Sequence, residues 1–355
     1  MNKKSIVRTL LLALVLVLGF VSCERRPLHD MVEKVRIRVK VNVKAVTNVT
    51  TDIYNPRIPV PPITTDMMRV MVYDPSTHNL LTQSFISDKE IDEEGNEVLS
   101  GDLNISYGDY DFLIYNFDTP TTQVSNENNE DKIIAYTSEI SEAMRRRYFG
   151  TKADGYTTFD YDDLTINYEP DHLLVANRHQ YNVSPHDTVV VINAEAGTVV
   201  DSYYIQIRVE GAQYMAADGA TAVITGLSPS NRFGLNLRTE EPSAAVIFDL
   251  VKSTDDNIPG ENKDVICAVF NTFGKIEHVP SDLHVTFNVI DVSGRLQTYD
   301  TSLNEIFQTD EAKYHHWLLI NEVFRINPPE VGEQGKGGFQ PQVDDWVEEQ
   351  GEIVL

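Results

Sequence analysis

From residue 35 the chain alternates without a break. Val35, Ile37, Val39, Val41 and Val43 are apolar, and Arg36, Arg38, Lys40, Asn42 and Lys44 stand between them. Successive side chains of a strand point to opposite faces, so this period of two predicts a strand with one apolar and one cationic face. Its β-branched residues suit a half-buried sheet position. The stretch Asn55-Pro56-Arg57-Ile58-Pro59-Val60-Pro61-Pro62 follows, and its prolines forbid regular ladder pairing. Further strands are predicted at Met68–Tyr73, Leu80–Ile86, Val98–Ile105 and Asp109–Asn116. Turn chemistry separates them at Glu93-Glu94-Gly95-Asn96 and Tyr107-Gly108-Asp109.

Residues 118–170 break this rhythm. They hold an Asn/Glu-rich loop from Ser125 to Lys132 and one predicted helix, Ser138 to Tyr148, with Ile140, Met144 and Tyr148 on one face. His172–Asn177 reads as the strand closing a first domain, and Tyr181–His186 as a linker. The second half returns to strands at Thr188–Asn193, Tyr203–Val209, Ala222–Leu227, Ala244–Leu250, Val265–Phe270, Leu283–Val292 and Trp317–Ile326. Asp218-Gly219 and Ser293-Gly294 read as hairpin turns. No helix alternates with the strands, which argues against a parallel α/β sheet. Many short strands at this spacing predict an all-β chain built of antiparallel sandwiches. The expected division is an N-terminal β-sandwich domain over residues 34–180, carrying the short helix, and a C-terminal one over 186–355.

The N-terminus changes this picture from a soluble domain to an exported one. Lys3, Lys4 and Arg8 precede an uncharged run from Thr9 to Val21, and Ser22-Cys23 follows. That is the layout of a secretory signal peptide over residues 1–22. The run is shorter than the roughly 20 residues of a membrane-spanning helix. Phe20-Val21-Ser22-Cys23 resembles the lipobox of bacterial lipoproteins, with Phe20 where Leu is usual. The resemblance implies an acylated Cys23 as the membrane anchor and residues 23–33 as a polar tether. The formal net charge is −25, and loss of residues 1–22 removes three basic residues and no acidic one. So acidic a chain excludes nucleic acid as a partner held by phosphate neutralisation, and its membrane contact is expected through lipid alone. Cys267 is the one other cysteine. It lies in the apolar run Val265–Phe270 and reads as a small buried hydrophobe.

Catalytic signatures are missing. HExxH, paired CxxC, GxSxG and P-loop patterns do not occur. The nine histidines are scattered, and the adjacent pair His315-His316, read as strand residues, would point to opposite faces. Asp162-Asp163 and Asp344-Asp345 are acids of solvated turns before they are a glycosidase pair. Asp88, Asp92, Glu93, Glu94 and Glu97 form an acidic loop without EF-hand spacing, as do Asp160, Asp162 and Asp163. A non-enzymatic protein without metal or cofactor is expected. Asp187-Thr188-Val189 resembles a short O-glycosylation signal, which makes Thr188 a candidate for modification.

Three features together carry a family resemblance: the signal and lipobox; Cys23-Glu24-Arg25-Arg26-Pro27-Leu28 followed at once by a strand; and the ending Gly337-Gly338-Phe339-Gln340-Pro341-Gln342-Val343-Asp344-Asp345-Trp346. They are similar to those of fimbrillin-like lipoproteins of Bacteroidota. The resemblance implies two tandem antiparallel β-sandwich domains of transthyretin-like topology, a surface-exposed lipid anchor in the outer membrane, and a fimbrial or adhesive role. It further implies assembly with other fimbrial subunits by strand complementation, in which main-chain hydrogen bonds supply affinity. The exchanged first strand would be the one carrying Val35, Ile37, Val39, Val41 and Val43, released by cleavage at an arginine: Arg26, Arg36, Arg38, Arg57 or Arg69. An uncut chain would keep both strand and lipid and serve as an anchor. The same strand can equally be a fixed part of a sheet, and residues 346–355 can close their own domain or be offered to a neighbour. A surface glycan-binding lipoprotein, using some of the 16 tyrosines, is the alternative.

Overall fold

The structure is a computed structural model that describes residues 34–45, 47–51, 58, 63–149, 164–240, 242–253, 264–276 and 282–329, with the backbone alone at 146–149 and 218. The expected signal peptide over residues 1–22, Cys23, the expected tether over 23–33, Arg26, Arg57, the acids at 160–163 and 344–345, and the ending from Gly337 lie outside these residues.

The described chain is β1 (Lys34–Asn42), β2 (Met68–Tyr73), β3 (Leu80–Ile86), β4 (Asp88–Ile91), β5 (Glu97–Ser106), β6 (Gly108–Asn116), β7 (Thr122–Ser125), β8 (Ile134–Thr137), α1 (Glu142–Phe149), β9 (Ile166–Tyr168), β10 (Leu174–Val183), β11 (Val189–Glu195) and β12 (Gly197–Thr198). It continues as β13 (Asp201–Glu210), β14 (Met215–Leu227), β15 (Ser230–Arg232), β16 (Leu237–Arg238), β17 (Ala244–Ser253), β18 (Val265–Thr272), β19 (His284–Asp291), β20 (Leu296–Ser302), α2 (Asp310–His315) and β21 (Trp317–Arg325). The all-β class and the pair of sandwiches follow the sequence reading.

In the first sandwich a sheet ordered β11-β1-β5-β4 faces one ordered β12-β10-β6-β2-β3. Between them pack Val35, Ile37, Val39 and Val41 from β1, Val70 and Val72 from β2, Leu103 and Ile105 from β5, and Phe112 and Ile114 from β6. In the second, β20-β19-β14-β17 faces β18-β13-β21, and β17 turns the corner by pairing with β14 through Ala244–Leu250 and with β18 through Val251–Ser253. Ile205, Ile207, Phe248, Phe270, Phe287 and Leu318 fill its core.

Most pairings are antiparallel, but each sandwich contains a parallel one. β1 lies between antiparallel β5 and parallel β11. In the same way β13 lies between antiparallel β18 and parallel β21. The first strand of each sandwich is therefore wedged beside a later, parallel strand of the same sandwich, and among the described residues the two halves repeat one plan.

Several expectations are corrected. Residues 181–186 do not link the domains. They join β10 to β11, which pairs with β1, so the crossing into the second sandwich comes at Val199–Val200, just before β13. Asp218-Gly219 is no hairpin turn but lies inside β14, where the register with β19 shifts between Met215 and Ala220. His315 ends α2 and His316 caps it at φ 57, so neither is a strand residue. The first helix begins four residues later than expected. Glu139 bridges Asn167, Ile140 N–H bonds Ile166 O at 2.9 Å, and Ser141 Oγ accepts the Met144 N–H at 3.2 Å as the cap.

The halves are also sewn together. The β7-β8 hairpin of the first pairs with β15-β16 of the second in a sheet ordered β16-β15-β8-β7. β9 joins β17 in parallel. Under this seam Met71, Tyr73, Tyr115, Phe233 and Phe273 form one apolar cluster.

Candidate strand-exchange site

The seat of β1 is built by three strands and two kinds of contact. On its inner face Val35 lies opposite Ile105, Ile37 opposite Leu103 and Val190, Val39 opposite Gly101 and Ile192, and Val41 opposite Leu99 and Ala194. Ile37, Val39 and Val41 are fully buried and Val35 nearly so. Each such side chain contributes about 1.5–3 kcal/mol on burial, so this face dominates the hold on the strand. Val43 lies just past β1, partly buried against the same core. The strand ends there because Asn42 Oδ1 accepts the Lys44 N–H at 3.0 Å, an Asx turn that diverts the backbone from the ladder.

The outer face is an ion-pair ladder. Arg36 bonds Asp102, Arg38 bonds both Glu90 and Asp102, and Lys40 Nζ stands 3.1 Å from Glu90 Oε2. Arg38 and Lys40 together hold the Glu90 carboxyl at about 2, Arg38 being the largest cause and Ser100 a further donor. Arg36 holds the Asp102 carboxyl below its usual range. Such exposed pairs add little energy each. They do discriminate register, because a shift by one residue would bury the cations.

The two candidate arginines inside β1 are thus in the ladder on both edges, and a protease reaching Arg36 or Arg38 requires β1 to leave its slot. Arg69 is held deeper, on β2 in the middle of the second sheet. It pairs with Glu127, and its guanidinium carbon lies 5.0 Å from the Phe117 ring and 5.3 Å from Phe85.

The chain after β1 is strapped to the second sandwich. Asn48 Nδ2 bonds Asp201 Oδ1 at 2.9 Å, Thr50 N–H bonds His315 O at 3.3 Å, and Trp317 Nε1 donates to Thr50 O at 2.9 Å. Val49 and Ile58 bury themselves against Tyr204 and Cys267. Cys267 is buried, as its apolar run implies.

The other candidates fall elsewhere. Thr188 is exposed in the turn before β11. The acids near β4 serve local turns: Asp92 Oδ1 accepts the Glu94 and Asn96 N–H groups, and Lys89 pairs with Asp66. Among the described residues the exposed large aromatics Phe85, Tyr107 and Tyr314 lie on separate parts of the fold. Sequence reasoning missed one cluster among the described residues, where His78, Asp111 and Glu130 converge closely enough to hold a metal ion. Their spacing along the chain carries no motif, and only the fold brings them together.

A family model described as a domain of unknown function (DUF5119) matches residues 59–249, a span that takes in β2 through most of β17 and leaves β1 outside. A curated relative from Bacteroides ovatus, described as a candidate fimbrium anchoring subunit, Fim4B, is 21% identical over 248 residues, covering 70% of this chain and 66% of its own. The chain therefore spans just under two thirds of that relative. Among solved structures, a candidate adhesin from Bacteroides ovatus superposes with a TM-score of 0.53 at 16% identity, covering 87% of this chain and 98% of its own. That likeness shows the shared fold. The fimbrial anchor protein Mfa2 from Porphyromonas gingivalis is more distant, with a TM-score of 0.43 at 10% identity over 80% of this chain and 88% of its own.

Proposed function

The chain belongs to the DUF5119 family, and on that footing we propose that it is a non-enzymatic, lipid-anchored fimbrial anchor of the bacterial outer membrane that keeps its own first strand. The observation carrying this reading is the seat of β1. Its apolar face is buried, both edges are paired, its arginines are held in ion pairs, and the strap behind it is bonded to the second sandwich. Cleavage inside the strand needs an arginine whose backbone is free: Arg36, though its side chain is exposed, and Arg38 are paired on both edges, and Arg69 lies on β2 between two partners, while Arg57 lies outside the described residues. The curated anchoring relative supports the same reading. Acylated Cys23 would hold the protein in the membrane, and the neighbouring fimbrial subunit would be met elsewhere by strand complementation.

The test is N-terminal mapping of the protein recovered from cells. The reading expects a mature chain that begins at an acylated Cys23 and still contains Lys34–Asn42, and it expects Cys23→Ser to leave the membrane fraction. Recovery of a chain starting beyond Asn42 would overturn retention of the strand and restore the polymerising role.

A further inference from the structure

Three side chains from three separate elements meet at one edge of the seam, and a fourth, His179, stands against two of them. His78 lies in the β2–β3 turn, Asp111 on β6, Glu130 at the start of the short turn after β7, and His179 on β10 where its register with β6 shifts. The Glu130 side chain is 3% exposed and that of Asp111 5%. Two carboxylates so buried, with ligand atoms of Asp111, Glu130 and His78 all within 4.8 Å of one another, are costly without a compensating charge.

Hydrogen bonds supply that compensation for Asp111, whose Oδ1 accepts the Gln180 N–H, but not for Glu130. Glu130 Oε1 and His78 Nδ1 are buried and have no hydrogen-bond partner. His78 Nδ1 stands 3.5 Å from Glu130 Oε2, and His179 Nδ1 stands 3.5 Å from Glu130 Oε1 and 3.9 Å from Asp111 Oδ1. These gaps exceed the roughly 2.7–3.2 Å of an N–H···O bond. They approach the ~3.3 Å that separates nitrogen and oxygen ligands placed at about 2.0–2.1 Å around a tetrahedral ion.

The arrangement is held rigidly. His78 and Gln180, the residue after His179, both adopt left-handed backbone at φ 56 and φ 52, a strain that non-glycine residues seldom carry without reason. Gln180 N–H donates to Asp111 Oδ1 at 2.6 Å, and Glu130 N–H donates to His78 O at 2.9 Å. From the second half, Gly234 presses on the Glu130 turn so closely that a Cβ there would stand 2.1 Å from the Glu130 carbonyl oxygen.

We propose that His78, Asp111, Glu130 and His179 bind one divalent transition-metal cation of the zinc class in a four-ligand structural site that clamps the first sandwich to the seam. Two imidazoles with two carboxylates suit such an ion, whereas calcium takes six to eight oxygens. Two negative carboxylates balance its charge. His78 and His179, 39% and 54% exposed, leave a path of entry.

The test uses the full chain purified in detergent, stripped with EDTA and titrated with zinc and with cobalt. The expected result is one ion per chain, the intense visible absorption of tetrahedral cobalt, and a zinc-dependent rise in melting temperature. Glu130→Gln should weaken zinc binding at least tenfold while melting above the parent in EDTA, because it removes a buried charge. His179→Ala, at an exposed position, should weaken binding without loss of folding. Calcium replacing zinc at equal concentration, octahedral cobalt, zinc bound equally well by parent and Glu130→Gln, or no stoichiometric binding by the folded parent would each overturn the site. The titration of the parent decides even if a variant fails to fold.

Discussion

Ile86 Cγ2 stands 2.6 Å from where a Cβ on Gly101 would sit. Gly101 lies opposite Val39 in the β1–β5 ladder, so the missing side chain lets the end of β3 close against β5 beside the middle of β1. Gly101→Val should overpack this point and destabilise the first sandwich by about 1–3 kcal/mol. Hydrogen exchange should rise in β1 before it rises in β13, and equal protection of β1 in parent and variant would contradict the packing argument.

Ile37 is fully buried at the centre of the seat. Ile37→Ala should cost about 2–5 kcal/mol and expose Arg36 and Arg38 to an arginine-specific protease. The parent should resist cleavage at both under native conditions. Rapid cutting of the folded parent at Arg38, seen by mass spectrometry, would show that the strand leaves its slot without help.

Acid should loosen the same strand. The Glu90 carboxyl is held at about 2 against an ordinary 4.5, so the folded state binds fewer protons than the unfolded one between these values. Its contribution is complete above 4.5 and fades as pH falls toward 2. Amides of β1 should therefore exchange faster, relative to those of β13, as pH falls through this window, after correction for the intrinsic rate. Glu90→Gln should abolish that differential.

A second carboxyl has the opposite sign. Burial pushes Glu169 up to about 7 from 4.5, opposed by the Asn271 N–H that donates to Oε1 at 2.8 Å. Here the folded state binds the extra proton, so stability is complete below 4.5 and declines as pH rises through 7. Glu169→Gln should be near neutral at about pH 4 and stabilising by roughly 3 kcal/mol at about pH 8. Parallel denaturation curves for both proteins across this range would contradict the assignment.

The strands that were legible in the sequence are those whose pattern is local. Met68–Tyr73 and Leu80–Ile86 coincide with β2 and β3, and β1 was visible from alternation alone. The short elements were not. β9, β15 and β16 have two or three residues each, too few for a period to show. Asp218-Gly219 has turn chemistry yet lies within a strand, because β17 and β19 pair on both sides of β14 and carry it through. The linker was misplaced for a related reason. Ser184-Pro185-His186 is a real turn, but whether a turn ends a domain depends on where the next strand pairs, and β11 returns to β1.

What the sequence alone determined is the character of the pieces: an acidic all-β chain and a first strand with one apolar and one basic face. These follow from side-chain chemistry read over a few neighbouring residues. Only the tertiary structure decided which strand sits beside β1, that Asp102 and Glu90 meet its cations, and that His78, Asp111, Glu130 and His179 share one edge. Those relations join residues far apart in the chain, and the free energy that selects them comes from burying both sandwich cores and the seam together.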